Sequence, residues 1–548
     1  MVVGSLAGLG LAAAFKPVGY GWLAVLSLTV LFWSLRDSGV RRRLLIGAIF
    51  GWAFMGVHIW WMQPSRGVAA WAALVTTQTI WLTGACVLIG SLTRFRWWPL
   101  WAATAWLSVE DLRASVPFGG FPWGRLAYAS VDTPWQGLLP YLGTAGSGFM
   151  VALLAASFST LFPAPQKGPR TQQRTAAGRE LWPGTLAPPA SVVAALSTRS
   201  RPDDAASSLL VRCLLAVVVL AATLLPLLAP YHTPAVGSAT VAVVQGGVPG
   251  AGNDVAGNYR QVTASHVALS QRLGAQVRSG LVPSPDFVIW PESSVSVDPR
   301  ADPTLEIGIR DAMAALDRPL LVGQITANDD GRTVLNQGVV RTNTAPTTGR
   351  QTYSKRHPVP FGEYIPFRSV LQGLSPQLRQ IPRDMLEGGV PTPLILNGVR
   401  VADAICFDVA YSDVIAPQVR QGASLVVVQT SNAAFIGSSQ LAQQFAISRA
   451  QALITGRTVV VSSLNGLTGA ISADGAVIKS LPVRTPALMV VSVPLRAGLT
   501  PAVRWERWIA LAATGSTATG LATIAAVAIS RRRMRPRHAG TATTPPTA

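Results

Sequence analysis

Along the first 230 positions, apolar residues fall into long uniform blocks broken by short Gly/Pro-rich or basic segments. Blocks at about 2–14 and 22–35 flank FKPVGYG, where Pro17, Gly19 and Gly21 interrupt a helix and predict an entering helical hairpin. Further blocks at about 45–62, 68–92, from 100 onward, 142–161 and 209–228, with a last one at 508–529, predict eight membrane spans. Trp60, Trp61, Trp97, Trp98 and Trp101 stand at block ends, where interfacial aromatics belong. Between about 239 and 494 the pattern changes to short β-branched runs, ATVAVVQ, DFVIWPE, PLLVGQIT, VLNQGVV, VADAICFD, SLVVVQTS and TVVVSSLN, separated by helical stretches. Buried strands alternating with helices predict an α/β domain. Most of these strands end in a polar residue, Gln245, Glu292, Cys406, Ser431 or Asn465, and so bring side chains to one rim.

Composition supports the membrane reading, with 49% hydrophobic and only 13% charged residues. A net charge of +20 in a soluble protein would suggest nucleic acid. Here the arginines cluster beside apolar blocks, at Arg36 and Arg41 to Arg43, at Arg94 and Arg96, and at Arg531 to Arg537, as positive-inside signals do. No nucleic-acid partner is expected. The stretch 163–208, rich in Pro, Gln, Arg and Ser, reads as a flexible basic cytoplasmic loop. With the basic loops and both termini inside, eight spans leave the α/β domain on the outer face. The first block could instead be a signal peptide, but no small-residue cleavage site precedes the next span. The resulting division is a bundle over 1–231, an extracytoplasmic domain over 232–504, a last helix over 505–530 and a basic tail over 531–548.

Three cysteines and no CxxC or Cys/His cluster exclude a disulfide framework and give no metal site. Cys86 and Cys213 lie in apolar blocks and read as packing, which leaves Cys406 in DAICFDVAYSD. A thiol beside a base or a cation can become a nucleophilic thiolate, although a lone cysteine at a strand end is as readily core. Glu292 follows FVIWP, where a partly desolvated carboxylate is suited to take and return a proton. It equally suits a helix start next to Ser293 and Ser294. Lys355 sits in the proline-stiffened loop YSKRHPVPFGEYIPF, either as an oxyanion-stabilising ammonium or as part of a solvated basic run. His357 in the same loop is a weaker candidate for the base.

Glu292, Lys355 and Cys406, in that order, resemble the base, the electrostatic stabiliser and the nucleophile of the nitrilase superfamily. That resemblance implies an αββα sandwich and a thioester intermediate. The chain more narrowly resembles the apolipoprotein N-acyltransferase family through AAFKPVGYGWLAVLSL, GWAFMGVHIWWM, VEDLR with GGFPWGRLAYAS, AVVQGGVP, WPES, KRHPVPFGEYIPF, ICFD, SNAAFIG and GRTVVVSSLNGLTGAI. The expected architecture is then a nitrilase-like α/β sandwich attached to a bundle of about eight transmembrane helices. Glu363 falls where that family has a further glutamate near the thiol. Departures are Phe407 and Asp408, in place of a tyrosine and a glutamate, Ala433 and Phe435, in place of an acid and a tryptophan, and a tryptophan missing from VPGAGNDVAGNY. The resemblance implies a cofactor-free enzyme of the bacterial plasma membrane, active as a monomer. It would move an acyl chain from a phospholipid to the α-amine of a diacylated lipoprotein. Phe121, Trp123 and Arg125 of GGFPWGRLAYAS, with Phe435, are expected at the lipid entrance. A tethered amidase acting on a small amide would need only one or two spans, and a non-catalytic membrane assembly protein would have lost one of the three residues.

Overall fold

The computed structural model describes residues 1–95, 97–165, 202–343, 351–374, 376–379 and 381–533. Most of the basic 163–208 loop and almost all of the 531–548 tail lie outside these residues. The apolar blocks form helices α1 (Val2–Ala14), α2 (Leu23–Leu35), α3 (Val40–His58), α4 (Val68–Leu92), α5 (Trp98–Arg113), α6 (Leu139–Ser159) and α7 (Pro202–Leu224). Among the described residues, four helical stretches are long and apolar enough to cross a membrane: Val68–Leu92, Pro134–Ser159, Leu209–Leu227 and Pro501–Ala526. The α1 and α2 helices are apolar but only 13 residues each, roughly 20 Å long. Both are packed into the core, where Leu11, Leu28, Leu31 and Phe32 are fully buried. Cys86 is buried in α4 as expected, whereas Cys213 is exposed on α7.

The α/β domain contains two sheets. The first runs β13-β1-β2-β3-β4-β5, with β6 on β4, from strands β1 (Ala235–Gln245), β2 (Phe287–Ile289), β3 (Leu320–Ala327), β4 (Thr333–Arg341), β5 (Thr352–Ser354), β6 (Asp384–Met385) and β13 (Ala487–Arg496). The second runs β12-β11-β10-β9-β8-β7, from β7 (Leu394–Leu396), β8 (Val399–Ile405), β9 (Leu425–Thr430), β10 (Val459–Ser463), β11 (Gly469–Ile471) and β12 (Val477–Ser480). The neighbours β1-β2-β3 and β8-β9-β10 are parallel, so their carboxyl ends emerge on one rim of each sheet.

Alternation along each strand makes the layers. Val241, Val243, Phe287, Ile289 and Leu321 face the second sheet and share a core with Val401, Ile405, Leu425 and Val427. Their neighbours Ala242, Val244, Val288, Trp290 and Val322 face the other way. There they pack on α8 (Tyr259–Arg278) and α9 (Pro303–Leu316) through Leu273, Ile309 and Ala312. The outer face of the second sheet is covered by α10 (Ser412–Arg420) and α11 (Ser439–Thr455), which contribute Val414, Ile415, Ile447 and Ile454. The layers are helix, sheet, sheet, helix.

One polar pair interrupts this interior. Asp403 is fully buried and, beyond the neighbouring Ala404 amide, meets no donor among the described residues, where Gln429 Oε1 is likewise unpartnered. Both crowd the place where a Cβ on Gly338 of the opposite sheet would sit, so only glycine fits there. A protonated Asp403 can supply the donor that Gln429 lacks. Burial holds its pKa well above the usual carboxylate range, and the nearby Asp408 adds to the shift. A carboxyl raised on folding contributes stability that is full below its unfolded pKa of about 4 and is lost as pH rises through the folded value. Asp403→Asn should remove that loss, and thermal unfolding followed against pH should show a flatter dependence for the variant than for the parent.

The bundle and the sandwich are joined by polar contacts. Tyr128 donates to the Ala410 carbonyl at 2.8 Å, Thr500 to the Ile454 carbonyl at 2.6 Å, and Arg449 pairs with Asp132 at 2.6 Å. The final helix, α12 (Pro501–Arg533), presents Glu506 to the Thr144 and Ala145 amides at 2.8 and 3.2 Å. These amides are available because Gly143 breaks α6 with φ 64°, and a Cβ there would lie 2.7 Å from the Glu506 carboxylate.

Candidate active site

The strand ends that meet at the rim turn through the left-handed region, Ser293 after β2 (φ 59°), Cys406 after β8 (φ 53°) and Asn432 after β9 (φ 56°). Such conformations cost non-glycine residues about 1–3 kcal/mol each and persist where the surroundings fix them. Cys406 then opens a single 3₁₀ turn, Cys406–Ala410. Asp408 closes that turn. Its carboxylate accepts from the Tyr353 hydroxyl at 2.6 Å and from the Arg356 and His357 amides at 3.1 and 2.8 Å, which ties the Lys355 loop to the cysteine turn.

Glu292 and Lys355 are 3% and 1% exposed and lie 3.3 Å apart. Glu292 Oε1 also accepts from Asn336 Nδ2 at 2.8 Å, and Oε2 from the Ser431 amide at 2.7 Å, so both oxygens are held in place. Glu363, which the Val359–Glu363 turn folds back, meets the Lys355 ammonium at 2.7 Å and takes the Val359 amide on its other oxygen at 2.9 Å. One cation therefore faces two buried carboxylates. Burial works against the Lys355 charge, but Glu292 and Glu363 more than offset it and its pKa lies well above the usual lysine value. Burial raises Glu363, with Lys355 opposing.

All three charges act on Cys406. Burial pushes its thiol up to about 12, Glu292 and Glu363 add to the rise, and Lys355 only partly offsets it. At neutral pH the sulfur keeps its proton and needs a base during attack, in keeping with the expected part of Glu292. Gln444 Nε2 approaches Sγ at 3.5 Å while its Oε1 accepts from Thr430 at 3.3 Å. Asn336, Thr430 and Gln444 are absent from the sequence-based reading. The available signal was polar residues inside buried elements, an asparagine in the β4 run and Gln440, Gln443, Gln444 and Gln451 along one helix.

His357 is turned elsewhere, with Nε2 on Asp413 at 2.8 Å and its ring stacked on Tyr411 at 3.7 Å. Gln245 and Asn465 bind loop carbonyls of Pro482 and Gly252 instead of joining the cluster. Phe407 stacks on Phe121 and Trp123 of the bundle at 6.0 and 5.9 Å. Trp123 and Arg125, expected at the lipid entrance, are both buried. The Trp123 indole donates to Gln443 at 2.7 Å, as does Trp61 at 2.9 Å, and Arg125 lies 3.8 Å from Glu110. Phe435 packs edge-on against Trp61 at 5.1 Å. Exposed aromatics stand instead at Phe118, Phe361 and Phe367, with Phe118 6.1 and 6.0 Å from the other two. Among the described residues no group of acids, histidines and cysteines could hold a metal ion.

Asp408→Ala should strip four donors of their acceptor, the Ile405 amide included. It should lower stability by about 3 kcal/mol or more, and turnover with it, as read by denaturant unfolding and an acyl-transfer assay.

Residues 7–157 match the model of the apolipoprotein N-acyltransferase N-terminal domain, and residues 240–498 that of the carbon–nitrogen hydrolases. The apolipoprotein N-acyltransferase of Mycolicibacterium smegmatis is 29% identical over 518 residues, covering 91% of this chain and 80% of that protein. That of Azotobacter vinelandii is 29% identical over 539 residues, covering 92% and 90%. A solved carbon–nitrogen hydrolase from Helicobacter pylori is 13% identical, covers 50% of this chain and 91% of its own, and superposes with a TM-score of only 0.35. With both domain models matched in order and relatives aligned along nine-tenths of its length, the chain belongs to the apolipoprotein N-acyltransferases, the membrane-embedded branch of the nitrilase superfamily.

Proposed function

We propose that the protein completes lipoprotein maturation by N-acylation, carrying the acyl chain as a thioester on Cys406. The observation that carries this reading is the buried Glu292–Lys355–Glu363 cluster acting on a protonated thiol beneath bundle aromatics. In the first half-reaction Glu292 takes the thiol proton as sulfur attacks the ester carbonyl of a phospholipid. Lys355 and a backbone amide of the cysteine turn hold the oxyanion. The carbon–oxygen bond then breaks, and the proton passes from Glu292 to the departing lysophospholipid alkoxide. In the second, the α-amine of the diacylglyceryl cysteine attacks the thioester carbonyl. Glu292 accepts the amine proton and returns it to sulfur, leaving an amide and a free thiol.

Both substrates are anchored in lipid, which gives a physical reason for fusing the sandwich to a bundle. Attack must occur at headgroup depth, and water must be kept from the thioester. The exposed trio Phe118, Phe361 and Phe367 suits the lipid-facing rim better than the buried Trp123 and Arg125. The basic segments support a topology with both termini in the cytoplasm and the catalytic domain on the outer face, and on this reading the enzyme acts as a monomer. Full-length protein in detergent, given a phospholipid and a diacylglyceryl-cysteine peptide, should add one acyl chain to the peptide and release one lysophospholipid. Hydrolysis of small amides with no acylated peptide would instead establish a tethered amidase.

A further inference from the structure

A second built site lies at the far end of the bundle. Helix α5 begins at Trp98 and ends at Arg113, whose side chain holds the Phe121 and Trp123 carbonyls beside the active site. Its start is therefore about 24 Å away along the helix axis. Around that start is a cavity of about 380 Å³ lined by Arg36, Arg212, Thr93, Thr160, Trp98 and Asp37. That size falls in the range of small-ligand pockets.

Two guanidiniums share this lining with a single carboxylate, Asp37. Arg36 is anchored by the Ser159 and Phe162 carbonyls at 2.6 and 2.8 Å and lies over the Trp98 ring at 6.0 Å. Arg212 has a long 3.5 Å contact to the Thr160 carbonyl, and its guanidinium keeps donor capacity to spare. Trp98 is 6% exposed, yet its indole N–H finds no acceptor among the described residues. Cations in excess, hydroxyl groups and an orphaned donor around one cavity call for an anion with several acceptor oxygens. Val211 and Leu215 of α7 continue the lining, and Val211 is exposed on the helix's outer side, so an apolar track leads outward from the polar pocket.

We propose that this cavity binds the phosphate of an anionic phospholipid in the leaflet opposite the reacting thiol. The phosphate oxygens meet Arg36, Arg212 and the Trp98 N–H, and an acyl chain follows Val211 and Leu215. Basic pockets between helices on the cytoplasmic side are suited to such headgroups. The site is separate from the donor lipid's site and takes no part in acyl transfer. It clamps the ends of α2, α5, α6 and α7 together.

The test is thermal unfolding and native mass spectrometry of the full chain in detergent, titrated with phosphatidylglycerol, phosphatidylcholine or inorganic phosphate. Phosphatidylglycerol should raise the unfolding midpoint and remain bound, while the other two give smaller shifts. Arg212→Gln should weaken phosphatidylglycerol binding roughly fivefold or more, whereas Arg41→Gln, which removes the same charge from the exposed start of α3, should leave it unchanged. Equal stabilisation by phosphatidylcholine, equal losses in the two variants, or full binding in Arg212→Gln would overturn the site. An equal shift with inorganic phosphate alone would overturn its assignment to lipid.

Discussion

Cys406→Ala should lower acyl transfer by roughly 10⁴-fold or more while leaving the fold in place. The sulfur is the one group at the rim that can form a thioester, and no neighbour can replace it: Glu292 and Glu363 are committed to Lys355, and His357 to Asp413. Because burial holds the thiol near a pKa of about 12, the resting enzyme carries almost no thiolate at neutral pH. On the proposed mechanism proton removal must then accompany attack, and the reaction should depend on Glu292 as strongly as on sulfur. Incubation with phospholipid alone should give the parent protein a mass increase of one acyl chain, labile to hydroxylamine, and leave the alanine variant unchanged. A variant that acylates the peptide at the parental rate would exclude the thioester.

Lys355→Met should be nearly as damaging to activity and should also cost stability. Methionine keeps the length of the side chain and removes the cation, so Glu292 and Glu363 face each other in a buried space with nothing opposite. Breaking a buried pair in this way costs about 3–5 kcal/mol. The sign with pH follows from the charges. In the parent, Lys355 is raised well above the lysine norm, so its stabilisation is complete at neutral pH and is lost as pH rises from the ordinary lysine value through the raised one. In the variant the cluster needs a proton, so stability should fall as pH rises from the acid side. Glu363→Gln added to Lys355→Met should recover much of the stability and none of the activity, because it removes the repulsion without restoring an oxyanion partner. Denaturant unfolding at several pH values, with the transfer assay alongside, separates the two effects.

The strands could be read from the sequence because their runs are β-branched and because parallel neighbours must be buried on both faces; LVVVQT of β9 is buried at every position. Glu292, Lys355 and Cys406 stood out because each is a chemically capable residue at the end of an apolar run or in a proline-stiffened loop. What joins them was hidden, since register and backbone sign are set by partners far away in the chain. The left-handed turn at Cys406 has no glycine to announce it. The Ser431 amide reaches Glu292 across 139 positions. The burial of Trp123 was hidden for the same reason: the group that binds its indole, Gln443, lies 320 positions later.

Gln443 and Gln444 are consecutive residues of α11, one gripping two bundle tryptophans and the other touching the Cys406 sulfur. The sandwich is consequently not a detachable module that happens to be tethered. Cutting it free would strip the amide of Gln443 of both indoles and leave the next residue on the same helix turn, the one against the sulfur, on a loosened support. For protein engineers this means that a soluble version cannot be made by truncation alone. It would need a replacement wall that offers two indole-like donors at the same place.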